Sequence, residues 1–343
     1  MRARVVWTSL LTAAATVTAC SSEPTSVTPA DPASAVNFAA GGNACGNGGN
    51  GGAGHPGSIL DQVTAPSPWG VAVRDDGLAY FTNLFGNEVG IASTKTKSVI
   101  GSIPTGSLPT GVAFAPDWLR AYSANQGDNT VGVIDVALAR QVASIQTGGA
   151  SPFSVQVSPD GALLYVGNND NTLLVVDTQT LQILKTVQVG FATNAFAVDG
   201  AGRMLYASSF ASGTVSEIDI FTGNLLRTFS LGGTTQGLGL NKKGTHLYVA
   251  NEGGYLSDVD LMTGQIGSPI QLAGVAFGLG VTADDNEAWI TLPLDGKVQV
   301  FNLKQRRVTG TLNVGGQPRR VAFSQQGKIG AVTNFAGYLT FVR

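Results

Sequence analysis

The amino-acid sequence predicts an all-β fold, a seven-bladed β-propeller whose last blade is closed by a strand from the N-terminal side of the domain. Three observations lead there. First, a unit typified by "LLYVGNNDNTLLVVD" (residues 163–177) recurs, and the aromatic opening its second apolar run falls at Tyr80, Tyr122, Tyr165, Tyr206, Tyr248 and Trp289, with Ala331 as a degenerate seventh. The intervals are 42, 43, 41, 42, 41 and 42 residues, the period of a four-stranded propeller blade. Second, the 343 residues include 46 Gly and only 12% charged side chains, with frequent Val, Thr, Ser and Asn, which favours short strands and turns. Third, the last unit ends at Arg343 after three strand-like runs, while "SILDQVTAPSP" (58–68) matches a fourth strand and its exit. Pairing the two leaves no free sheet edge between first and last blades.

The chain opens on "MRARVVWTSLLTAAATVTAC", with Arg2 and Arg4 ahead of an uncharged apolar run from Val5 to Val17. This is the pattern of a secretory signal over residues 1–19, too short to span a membrane. Val17-Thr18-Ala19-Cys20 resembles the bacterial lipobox, which makes Cys20 the expected lipidation site and membrane anchor. Ordinary cleavage after Ala19 is the alternative, and would leave Cys20 free to pair with Cys45 in an oxidising compartment. The expected location is the bacterial cell envelope, by export and lipid anchoring.

Residues 20–57 are rich in Gly, Pro, Ser and Thr and read as a flexible tether. Gly46, Gly48 and Gly51 fit the spacing of a dinucleotide-binding loop, but no strand precedes them and no helix follows. Cys45 and His55, two lone ligands, do not make a metal site. Removing residues 1–19 takes away two Arg and no acid, leaving 18 basic against 22 acidic residues, a net charge of −4. No run of Lys or Arg exceeds a pair, so nucleic acid is not an expected partner.

Within residues 58–343 each unit parses as an inner strand ("GVAFAP", "SVQVSP"), an Asp- and Gly-rich turn ("SPDG", "DDG"), two apolar runs and a closing strand ("QVASIQTGG", "ILKTVQVG"). Blades pack on both faces, so their strands read as near-continuous apolar runs. The tetrapeptides "YFTN", "YSAN", "YVGN", "YVAN" and "AVTN" resemble the repeat named for Tyr-Val-Thr-Asn, found in secreted and surface-layer proteins of bacteria and archaea. The resemblance covers Ser58 to Arg343 and implies the propeller fold. It implies little about function, because propellers of this shape serve as lactonases, quinoprotein subunits and binding modules.

Chemistry-bearing residues are sparse. Asp135, Asp177, Asp219 and Asp260 recur once per blade at the end of a third strand, where a carboxylate accepts turn N–H groups. Asn83, Asn125, Asn168, Asn251 and Asn334 recur before the next turn and are expected to serve its conformation. His246 is the only His beyond the tether, and no catalytic triad is legible.

Residues at the start of inner strands ring the central channel. Aligning "PWGVAV", "PTGVAF", "PFSVQV", "TNAFAV", "TQGLGL", "AFGLGV" and "PRRVAF" places Trp69, Thr110, Phe153, Asn194, Gln236, Phe277 and Arg319 at one position. These seven are the candidate ligand-binding residues, with Phe85, Phe210 and Phe335 expected on the same face. Three aromatics, three neutral polar groups and one cation suit stacking with a sugar ring, an aromatic ligand or a peptide, with Arg319 for an anionic group. The aligned position holds no carboxylate, so neither a metal nor another cofactor is expected; lactonases of the gluconolactonase type gather acidic residues there. The alternative is that these side chains only fill the channel.

The reading is therefore a monomeric envelope lipoprotein that binds a small molecule, glycan or protein without catalysis. A divergent lactonase or an accessory subunit of a quinoprotein dehydrogenase is the alternative. Cys20→Ser is expected to move the protein from the membrane to the soluble fraction on cell fractionation, and retention in the membrane would refute lipidation.

Overall fold

The computed structural model describes residues 57–149, 151–190, 192–324 and 329–343. The expected signal, Cys20, Cys45 and the tether to residue 56 lie outside the described residues. The chain forms seven four-stranded antiparallel sheets. The first blade is Pro68–Val73, Leu78–Asn83, Glu88–Ser93 and Ser98–Pro104, each strand hydrogen-bonded to the next. The inner strands of the next five are Pro109–Phe114, Pro152–Val157, Thr193–Val198, Thr235–Leu240 and Leu279–Val281.

The seventh blade is built from both ends of the domain. Pro318–Phe323, Gly330–Asn334 and Tyr338–Val342 are completed by Ile59–Thr64, whose Val63 faces Leu339. Ser58 and Arg343 exchange both backbone hydrogen bonds, and Gln62 Nε2 adds bonds to Val314 O at 2.8 Å and Thr340 Oγ1 at 3.1 Å. The expected closure is present, for the expected reason: an unpaired last edge would expose a row of backbone donors and acceptors.

The core is a ring of layers between blades. Seven apolar clusters lie one at each blade–blade junction; that between the second and third blades, for example, joins Tyr122, Val131 and Val133 to Leu164, Val166 and Leu174. The recurrent aromatics Tyr80, Tyr122, Tyr165, Tyr206, Tyr248 and Trp289 are all nearly or fully buried in these layers, and Ala331 takes the same place where the next layer already holds Phe341. Second and third strands are buried throughout, whereas fourth strands such as Ile183–Gln188 are largely exposed.

Turns follow the repeat. Between second and third strands every blade has one residue of positive φ, between 54° and 100°: Asn87, Asn129, Asn171, Gly213, Gly254, Gly296 and Gly337. Only Gly and Asn adopt this region at low cost. The motif Asn residues act differently from the expectation. They end the second strand, are buried, and tie down the loop by side-chain bonds: Asn251 Oδ1 accepts from Gly253 N at 2.9 Å, and its Nδ2 donates to Gly232 O at 2.8 Å in the exit from the preceding blade. The recurrent Asp residues do cap turns. Asp177 Oδ1 accepts from Gln179 N and Thr180 N, Asp219 from Thr222 N, and Asp260 from Met262 N and Thr263 N. These bonds to the ionised form hold all three carboxyls below the usual Asp range.

Deleting residues 58–67 is expected to lower solubility and the thermal midpoint, because it removes the fourth strand of the seventh blade, whereas deleting 21–50 is expected to change neither. Equal midpoints for the two deletions would contradict closure as a source of stability.

Candidate functional site

All inner strands enter from one face. In six of the seven the first residue pairs with the last of the second strand, as in Pro68 with Asn83, Pro109 with Asn125, Pro152 with Asn168 and Pro318 with Asn334. Proline is tolerated at the first position of a strand. Just beyond it, six of the seven inner strands shift register: the irregularity falls between Pro68 and Val71 in the first blade and between Pro318 and Val321 in the seventh. A bulge re-aims the side chains on either side of it. The seven aligned residues sit in this irregular stretch, except that in the sixth blade Phe277 precedes the assigned strand and pairs through its N–H with Thr291 O at 2.9 Å.

The carbonyl of the aligned residue is gripped by the preceding blade. Thr82 Oγ1 donates to Thr110 O at 2.8 Å and accepts from Gly70 N in its own blade. Ser208 repeats this toward Gln236 O, Thr291 toward Arg319 O, and Thr333 toward Trp69 O at 2.7 Å, which ties the seventh blade to the first. Thr110 uses its own hydroxyl on Phe153 O, and Gly237 N donates directly to Phe277 O. The blades approach so closely that a Cβ on Gly70 would lie 2.2 Å from Thr110 O. The junction of third and fourth blades differs: Gly167 stands where four other blades carry the hydroxyl, and Asn194 O instead faces Arg320 Nη2, at 3.4 Å, from the opposite side of the ring.

Over this latticework the side chains converge in two groups. Trp69 packs edge-to-face on Phe153, Phe277 and Phe335, with centroids 6.2, 6.0 and 5.7 Å apart, and Phe85 lies 6.0 Å from Phe335 at the exposed rim. The Arg319 guanidinium stands 5.0, 5.1 and 5.5 Å from the ring centres of Trp69, Phe277 and Phe335, a cation in an aromatic cage. Arg320 lies 4.9 Å from Phe277 and reaches Asn194 Oδ1 at 2.6 Å. From there a polar chain runs round the ring: Asn194 Nδ2 donates to Gln236 Oε1, and Gln236 Nε2 to Glu252 Oε1 at 2.6 Å.

Burial sets the electrostatics. Desolvation lowers the pKa of Arg319, partly offset by Glu252, and lowers that of Arg320 to about 10, with repulsion from Arg319 adding to it; both remain cationic at neutral pH. Desolvation raises the pKa of Glu252, opposed by its bond to Gln236 and by Arg319.

Of the seven aligned residues, Trp69, Phe153, Phe277 and Arg319 meet in the caged group, and Asn194 and Gln236 meet in the polar chain. Thr110 is buried with its hydroxyl engaged by a backbone carbonyl. Phe335 and Phe85 join the cluster; Phe210, exposed, has no ring contact in it among the described residues. The aromatic rings are turned to one another and to Arg319. The aligned position holds no carboxylate, but one reaches this face from elsewhere: Glu252, which follows the motif Asn251. Sequence reasoning also passed over Arg320, although the signal was there: the equivalent residues are Gly70, Gly111, Ser154, Ala195, Gly237 and Gly278.

His246 stands at the other end of its strand from Asn251, about 16 Å away at about 3.3 Å per residue. Its Nδ1 lies 2.9 Å from Asp258 Oδ1, and Arg306 pairs with the other oxygen, so the imidazole serves an ion-pair network on the opposite face. Among the described residues no three His, Cys, Asp or Glu side chains converge as a metal site.

A model of the cytochrome D1 heme domain family matches residues 123–242, 120 of the 343 residues. Among solved structures, hydrazine synthase of Kuenenia stuttgartiensis superposes with a TM-score of 0.75 at 18% identity, covering 81% of this chain and 96% of that one. At that identity the likeness is one of fold. No curated protein matches the chain.

Replacing Thr333 by Val keeps its shape but strips the partner from Trp69 O and Arg320 N. The expected loss is about 1–3 kcal/mol of unfolding free energy, read from the urea midpoint; an unchanged midpoint would deny the inter-blade bond a part in stability.

Proposed function

We propose that the chain is a non-catalytic ligand-binding propeller, exported and held at the cell envelope by a lipid on Cys20, with residues 20–57 as tether and 58–343 as the binding domain. The observation that carries this reading is the convergence of Trp69, Phe153, Phe277 and Arg319, from four different blades, into one partly exposed cluster at the channel mouth. Large aromatics and Arg at a concave centre are the side chains that most often anchor ligands and partners. Expected ligands are a small molecule, glycan or protein; nucleic acid is disfavoured by the acidic balance, and the module is expected to act as a monomer.

A second reading, an accessory subunit of a redox enzyme such as a quinoprotein dehydrogenase, draws on the heme-domain match and on the likeness to a hydrazine synthase chain. The clustered residues do not fit a haem at this mouth: none is a His, Met, Cys or Tyr that would serve as axial ligand, and the rings already pack on one another. A divergent lactonase is less well supported, since among the described residues Glu252 is the one carboxylate bonded into the cluster, and it is bonded to Gln236.

The test is a screen of the full mature protein against sugars, peptides and small acids. Trp69→Ala, Phe153→Ala and Phe277→Ala are expected each to weaken binding by about 1 kcal/mol or more, roughly fivefold, and EDTA to leave it unchanged. Chelator-sensitive lactone hydrolysis, abolished by Glu252→Gln, would replace the binding module with an enzyme.

A further inference from the structure

The proposed binding face contains two features that say what kind of ligand it takes, and the inference drawn from them rests on that reading. The first is an excess of positive charge, two cations against the one carboxylate of Glu252. Arg319 and Arg320 are adjacent cations; among the described residues neither makes a direct salt bridge, their hydrogen-bond partners being neutral, Gln317 Oε1 at 3.4 Å and Asn194 Oδ1 at 2.6 Å, and Glu252 acts on Arg319 only through space. The carboxylate of the cluster, Glu252, is bonded to Gln236. Buried charges are ordinarily paired, because desolvation of an isolated ion is costly.

The second feature is the identity of the unpartnered atoms. Trp69 Nε1 and Arg319 Nε are buried and meet no hydrogen-bond partner among the described residues. Both are N–H groups that only donate. The rings around Arg319 interact with its positive charge, but a ring face is at best a weak acceptor for its N–H groups. What complements this mouth is therefore rich in acceptors and negatively charged. A neutral sugar lacks the charge, and a metal ion would be repelled by two guanidiniums.

We infer that the channel mouth is an oxyanion site, in which Arg319, Arg320 and the indole N–H of Trp69 hold the carboxylate or phosphate group of a small ligand. Guanidinium groups match both planar carboxylate and phosphate geometry. The polar chain Asn194–Gln236–Glu252 orients Arg320 from the far side, and the aromatic cage fixes Arg319. Seating the anion among desolvated cations strengthens each contact relative to water, which the depressed pKa of both Arg side chains reflects.

The experiment titrates the full mature protein, in low-chloride buffer, with inorganic phosphate and with succinate as separate probes, following heat and tryptophan fluorescence. Glucose and succinamide serve as neutral counterparts. Saturable binding of phosphate, succinate or both is expected, and which probe binds identifies the oxyanion chemistry. Arg320→Met is expected to weaken it at least tenfold. If that variant unfolds, Asn194→Asp supplies the same readout, because it sets an internal carboxylate against Arg320 while keeping the cation; it too is expected to weaken binding at least tenfold. Trp69→Phe, which keeps a ring and loses the N–H, is expected to weaken it severalfold. Anion binding that is unchanged in folded Arg320→Met and Asn194→Asp would overturn the assignment. So would binding of neutral ligands alone, lost in Trp69→Ala, which would leave the binding face standing without its oxyanion preference. Failure of every probe, charged and neutral, would remove both.

Discussion

The whole ring depends on one repeated requirement: where two blades meet at the channel, the carbonyl of the second inner-strand residue is turned away from its own sheet and must find a donor in the blade before it. Four junctions meet it with a Thr or Ser at the third place of the Tyr-Val-Thr-Asn-like motif, which accepts from its own blade and donates to the next. A buried carbonyl without a partner would cost free energy that the apolar layers alone would have to offset. The same bonds fix how closely neighbouring inner strands approach, and so the width of the channel. This gives a physical sense to a motif otherwise visible only as a recurrence.

Where the hydroxyl is missing, the ring finds other donors, and there it becomes asymmetric. The third blade has Gly167 in the hydroxyl's place, and the Asn194 carbonyl faces the guanidinium of Arg320, which comes from a residue 126 positions later. A side chain of that length at the third inner-strand position is compatible with the fold because the other six blades carry Gly, Ala or Ser there. The departure from the repeat is thus both a structural strut and the source of the excess positive charge at the mouth. Sequence equivalence marks the scaffold of this propeller, and the breaks in equivalence mark what the scaffold presents.

The heme-domain match over residues 123–242 and the superposition at 18% identity report likeness of fold. Propeller blades conserve period, turns and inter-blade packing because each has a local physical cause, while the chemistry of the mouth depends on a handful of side chains free to change.

By itself the sequence determined the fold class, the number of blades, the closing strand before the first blade and the capping role of Asp177, Asp219 and Asp260. Each follows from short-range regularities, period, apolar runs and turn chemistry, that a linear chain displays directly. It also aligned seven inner-strand positions, of which Trp69, Phe153, Phe277 and Arg319 lie in one cluster, because equivalent places in a repeat become equivalent places on a ring. Only the tertiary structure decided which of them meet: that Trp69 packs on rings from three other blades, that Arg319 is caged by them, and that Glu252 joins through Gln236 from a loop. The reason is geometric. A repeat specifies where each side chain starts, but its direction is set by the bulge in the inner strand, and its reach is limited by the size of residues across a closed channel. Contacts of that kind join positions with no relation along the chain.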